Sequence, residues 1–162
     1  MSTPKGYTRL QIVLHWIAAL LVVQQYVFKD SIAAAWDTTR KGLETSFDPL
    51  VLAHVTGGTI VLLFAFWRLS IKARLGAPVV VGNSAVQRSL ARATHFGLYA
   101  SMILMPLSGS LAWFAGVDLA AQGHNLLKVA LLALVVLHVV GSLYHHFVLK
   151  DGLINRMRRA EV

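Results

Sequence analysis

Residues 124–149 read HNLLKVALLALVVLHVVGSLYHHFVL. From Leu126 to Leu149 the run is apolar on all sides, neither alternating like a half-buried strand nor striped like a surface helix. It exceeds the ~20 residues a helix needs to cross ~30 Å of hydrocarbon. Three blocks of the same kind precede it, at roughly Leu10 to Phe28, Leu50 to Leu69 and His95 to Val117. Lipid cannot satisfy free backbone groups and no barrel-like alternation is present, so spanning helices are the remaining solution. The expectation is an all-α integral membrane protein, an up-and-down four-helix bundle with helices at about 10–29, 50–70, 89–116 and 122–149 in one domain over 1–162. Composition agrees, since 56% hydrophobic and 14% charged residues leave more apolar surface than a soluble domain can hide.

The formal charge of +8 is sorted along the chain. With both termini on one side, that side holds Lys5, Arg9, Arg68, Lys72, Arg74, Arg88, Arg92, Lys150, Arg156, Arg158 and Arg159, eleven of the fifteen basic residues. Lys29, Arg40 and Lys41 lie opposite among Asp30, Asp37, Glu44, Asp48 and Asp118, and Lys128 sits inside the fourth block. The positive-inside rule then places both termini in the cytoplasm. Topology and anionic headgroups account for these cations without nucleic acid. A chain with no cysteine has no disulfide, no iron–sulfur cluster and no CxxCH attachment, so any haem is held noncovalently.

Basic Lys5 and Arg9, an apolar run and Ala33-Ala34-Ala35 also outline a signal peptide. The run is long enough to span and carries His15, so it is read as the first span. Lys29 to Asp48 reads as a polar outer loop, with Pro49 placed to open the second helix. Ser70 to Ser89 reads as a loop marked by Gly76, Pro78, Gly82 and Asn83. A short link near Gly116 to Gly123 joins the last two helices, and Pro106 predicts a kink in the third.

Seven histidines, His15, His54, His95, His124, His138, His145 and His146, lie in or at the ends of the apolar blocks. Ionisable residues in a membrane are costly and face a partner, a cavity or a cofactor. His124 and His138 are 14 residues apart, which returns them to within about 40° of one helix face and separates them by about 21 Å. Each therefore serves its own membrane face. The alternating path of the chain pairs His15 with His138 and His54 with His124. His145, seven residues past His138 on the same face, suits His15 equally by spacing.

Two histidines facing each other across helices can ligate a haem iron from both sides, which leaves electron transfer as the task. Gly57 and Gly58 follow His54 on its face and remove side chains where a porphyrin approaches, as do Gly109 and Gly141; close helix packing is their alternative. A zinc site lacks cysteine or carboxylate ligands beside these pairs. A histidine-based transporter normally wants an intramembrane acid, and the first, second and fourth blocks have none.

The segments YTRLQIVLHW (7–16), AHVTGG (53–58) and LHVVGSLYHHFVLKDG (137–152), with His124 fourteen residues before His138, resemble the bacterial cytochrome b561 family. The resemblance runs nearly from end to end and implies a diheme b-type cytochrome of the bacterial inner membrane. It makes His15, His54, His124 and His138 the haem iron ligands, favouring His138 over His145. It gives Arg9 and Arg68 to haem propionates, and His95 to a supporting or propionate-binding role rather than an axial one.

Similar members pass electrons from an outer-face donor to ubiquinone, and one kind oxidises superoxide. The link between the third and fourth helices is much shorter here than in that kind, a departure that bears on its outer-face substrate site. Lys29, Arg40, Lys41 and Lys128 remain to steer an anion to the outer haem, against the field of five carboxylates. His145 and His146 are the residues expected to meet quinone and relay protons. Larger relatives are cytochrome b subunits of hydrogenases and formate dehydrogenases. The partners implied are therefore lipid, quinone, superoxide and either a redox partner protein or a second copy in a homodimer, with no nucleic acid.

Overall fold

The computed structural model describes residues 6–79, 82 and 84–160, so Lys5 and Asn83, named above, lie outside the described residues. Helix α1 spans Arg9–Val27, α2 Lys29–Arg40, α3 Pro49–Leu75, α4 Ala85–Ala115 and α5 Asp118–Tyr144. A π-helical turn, His145–Leu149, extends α5, and a 3-10 turn follows at Leu153–Met157. No strand occurs among the described residues. Among the described residues four segments are long and apolar enough to cross a membrane: α1, α3, α4, and α5 with its π turn.

Local chemistry sets the helix starts. Thr8 and Gln11 form a reciprocal capping box at α1, with Gln11 N–H donating to Thr8 Oγ1 at 3.2 Å and Thr8 N–H to Gln11 Oε1 at 2.9 Å. Ser84 and Gln87 repeat the device at α4. Asp48 caps α3 by accepting from Leu50 N–H at 2.7 Å, and Pro49 occupies the first turn as expected. Gly116, at φ 66°, ends α4 in the left-handed conformation that glycine adopts freely.

Three expectations change. The loop from Lys29 to Asp48 contains α2, because Ile32, Ala33 and Trp36 recur at helical spacing and turn to the protein together with Lys29 and Asp37. The loop expected from Ser70 to Ser89 is cut back at both ends, since helix-forming residues carry α3 to Leu75 and the Ser84 box starts α4 at Ala85. The last link is only Gly116 and Val117.

The spans run alternately up and down. At one end Gln11 Nε2 donates to the Gly76 carbonyl (3.3 Å), Trp16 Nε1 to Met157 (2.8 Å) and Arg156 to Val79 (3.3 Å). At the other, the Tyr26 hydroxyl donates to the Lys128 carbonyl at 2.6 Å and Arg40 pairs with Asp118. Ala18, Val61, Ala65 and Met102 form the core where α1, α3 and α4 meet, their small members letting helices approach closely. Helix α4 lies along α5, with Gly97 against Leu134 and Gly109 against His124. Large apolar side chains such as Leu20, Phe96 and Leu126 stand outward, at 69%, 77% and 72% exposure, as a lipid-facing surface requires.

Candidate functional site

Five of the seven histidines meet across helices, in two pairs and a third contact from His95 to one of them. Near the α2 end, His54 of α3 faces His124 of α5 with ring centres 6.5 Å apart and planes inclined by 58°. Near the end carrying the termini, His15 of α1 faces His138 of α5 at 6.1 Å and 60°. A metal held between two imidazole nitrogens by bonds of about 2 Å would place ring centres roughly 6 Å apart. Both pairs fit that span, and the rise of α5 separates them by about 21 Å.

The pair at the α2 end borders a cavity of about 290 Å³ lined by His54, Gly58, Gly109, His124, Lys128 and, from α2, Trp36. A Cβ on Gly58 would meet nothing within 4 Å, whereas Gly57 is packed against the amides of Gln24 and Gln25. Gly58 thus opens the cavity and Gly57 seats α1. A Cβ on Gly109 would lie 3.1 Å from the His124 ring, so this glycine makes room for the imidazole itself. A Cβ on Gly141, like one on Gly58, would meet open space.

His124 Nδ1 lies 3.0 Å from the Met105 carbonyl and 3.3 Å from Ser108 Oγ. A carbonyl can only accept, so Nδ1 carries the proton and Nε2 keeps its lone pair for a metal. His54 Nδ1 is buried without a hydrogen-bond partner.

The other pair is flanked by basic and aromatic groups. Arg68 donates to His15 Nδ1 at 3.1 Å, and its guanidinium lies 5.5 Å from the Tyr99 ring centre. Lys72 Nζ lies 5.7 Å from the same ring. His95 stands edge-on to His138 at 5.2 Å and donates from Nδ1 to the Ala91 carbonyl at 2.7 Å. Beside them, burial pushes the Tyr7 phenol up from its ordinary pKa, Tyr99 adds to the rise, and Arg156 and Arg68 oppose it. Arg9 is exposed at the start of α1.

His145 turns elsewhere. It is buried and donates from Nδ1 to Asp151 Oδ2 at 2.5 Å, so His138 rather than His145 faces His15. His146 packs edge-on to Phe147 at 4.8 Å. Burial alone would raise the Asp151 pKa, but hydrogen bonds from His145 and Leu153 N–H outweigh it and hold the carboxyl below its ordinary 3.8. Asp151, Tyr99, Trp36 and the Met105 carbonyl are contributors that the sequence reading did not single out. The signal for Tyr99 was available, since it follows His95 by four residues as Lys72 follows Arg68.

Against known proteins, the model of the family described as prokaryotic cytochrome b561 matches residues 6–160. A cytochrome b562 of Cereibacter sphaeroides is 36% identical over 159 residues, covering 98% of this chain and 99% of that protein. A probable superoxide oxidase CybB of Yersinia pestis is 28% identical over 178 residues, covering 94% and 96%. Cytochrome b561 homolog 1 of Escherichia coli K12 is 28% identical over 173 residues, covering 93% and 96%.

Proposed function

The chain belongs to the prokaryotic cytochrome b561 family of haem-binding electron-transfer membrane proteins, and from that premise we propose that it carries electrons across the bacterial inner membrane through two b haems, from superoxide outside to ubiquinone. The observation that carries this reading is the two opposed histidine pairs, at 6.1 and 6.5 Å, on helices that bring them to opposite ends. His15 and His138 hold the inner haem, and His54 and His124 the outer one. Both termini lie in the cytoplasm, by the excess of basic residues at that end.

The haems, when bound, supply one-electron chemistry at each face. The chain's own groups do the rest. The Met105 carbonyl fixes the His124 tautomer, and α2 closes the outer cavity over that pair. Lys29 and Lys128 line the cavity beside Asp37, and because Lys29 pairs with Asp30, Lys128 is the cation left to favour an anion there. Two superoxide anions give up one electron each and leave as dioxygen, and one ubiquinone takes both electrons with two protons. At the inner face His145, held from Nδ1 by Asp151, and His146 beside it are the residues assigned to the quinone and its protons. Support for superoxide comes from the name of the Yersinia relative and from Lys128 in the cavity lining.

The test mixes purified protein, with haem counted per chain, with a superoxide pulse and follows haem absorbance with and without ubiquinone. Fast haem reduction, relieved by quinone and slowed by salt, is expected. Haems that ignore superoxide but accept electrons from a hydrogenase-type partner would make the chain a subunit instead.

A further inference from the structure

Around the His15–His138 pair basic and aromatic residues of α3 and α4 converge. Arg68 and Lys72 are four residues apart on α3, and His95 and Tyr99 four apart on α4, so each pair shares a helix face. Arg68 lies against His15 and His95 against His138. Lys72, one turn further along α3 toward the termini, lies against the ring of Tyr99, which is one turn from His95 in the opposite direction and which the Arg68 guanidinium also reaches. Two cations therefore converge on one aromatic ring, 5.5 and 5.7 Å from its centre.

Like charges brought together cost energy unless something negative joins them. Among the described residues neither Arg68 nor Lys72 pairs with a carboxylate, and Asp151 is taken by His145. The quadrupole of Tyr99 offsets part of the repulsion, and a dianionic group would offset the remainder. Arg68 is also held by a bond that iron ligation at His15 Nε2 abolishes. With Nε2 on a metal, the proton sits on Nδ1, which then donates and no longer accepts from the guanidinium. Ligation thus frees the Arg68 donors beside the ligand ring.

Resting on the diheme reading, we propose that Lys72 and Arg68, positioned by Tyr99, form a two-cation clamp for the two carboxylates of the inner haem. Lys72 is the second cation and Tyr99 the positioning residue. A cation at the carboxylates disfavours the oxidised haem, which carries one more positive charge, so the clamp raises the potential of this haem.

The test is a redox titration of the full-length protein in detergent, with haem counted per chain. The inner haem is identified as the wave lost in His15→Ala and kept in His54→Ala. Lys72→Gln is expected to lower that wave alone, shifting its reduced-to-oxidised ratio on the order of tenfold, or ~59 mV for a one-electron couple. Tyr99→Leu should lower the same wave, while Tyr99→Phe, which keeps the ring, should leave it in place. Arg74→Gln, an equal loss of charge two residues along α3, should move neither wave appreciably.

Two haems per chain with a Lys72→Gln titration identical to wild type would overturn the clamp and leave the diheme reading intact. An equal shift in Arg74→Gln would reduce the effect to the general surface field and also overturn it. Tyr99→Phe behaving as Tyr99→Leu would remove Tyr99 from the clamp. Fewer than two haems in the wild type would end the diheme reading, and the clamp with it.

Discussion

At the scale of single residues, the cross-helix pairs make the sharpest predictions. His54→Ala or His124→Ala should lower haem from two per chain to one, and His138→Ala should remove the other; His145→Ala should keep both with unchanged spectra. Haem quantification with difference spectroscopy decides these cases. Asp151 carries a pH prediction. Its carboxyl is depressed in the folded chain, so its stabilisation is complete above the unfolded value of 3.8 and lost as pH falls through the lower folded value. The C-terminal turn should therefore become sensitive to pepsin as the pH drops below about 4. Asp151→Asn should be sensitive already at the upper end of pepsin's range, with little further acid dependence. The cross-helix histidine pairs were legible because a 14-residue spacing is a property of one helix. Their supports were not: the Met105 carbonyl meets His124 only once α4 and α5 are packed, and Asp151 reaches His145 only through the π turn.

At the scale of elements, two glycines of α4 separate packing from site. A Cβ at Gly97 would press on Leu134 at 3.0 Å, and one at Gly109 on the His124 ring at 3.1 Å. Gly97→Val should lower thermal stability by about 1–3 kcal/mol, the usual cost of overpacking, and leave haem content at two. Gly109→Val should cost the outer haem as well. Helix α2 is tethered to α5 by Arg40 and Asp118, both half-exposed, a contact worth roughly 0.2–1 kcal/mol. Asp118→Asn should accordingly speed reduction of the outer haem by a membrane-impermeant reductant by about 1.5- to 5-fold; no change would mean that α2 does not limit access. The spans could be read from length and apolarity. Helix α2 could not, because Lys29, Asp30, Asp37 and Arg40 hide a short amphipathic helix inside what composition alone reports as a polar loop.

At the scale of the whole molecule, the chain falls into two hairpin-like halves, α1 with α3 and α4 with α5, connected through residues 76–84. Both proposed haems take one ligand from each half: His15 and His54 come from the first, His138 and His124 from the second. The paired helices were foreseeable from the order of the blocks. That both pairs cross the same seam follows from α5 contributing a histidine at each end. The cofactor is then a fastener as much as a conductor. A chain severed between α3 and α4, with its two pieces made separately in one cell, should reassemble when haem is plentiful and drift apart in the bilayer when haem synthesis is blocked, turning this cytochrome into a genetically encoded gauge of haem supply.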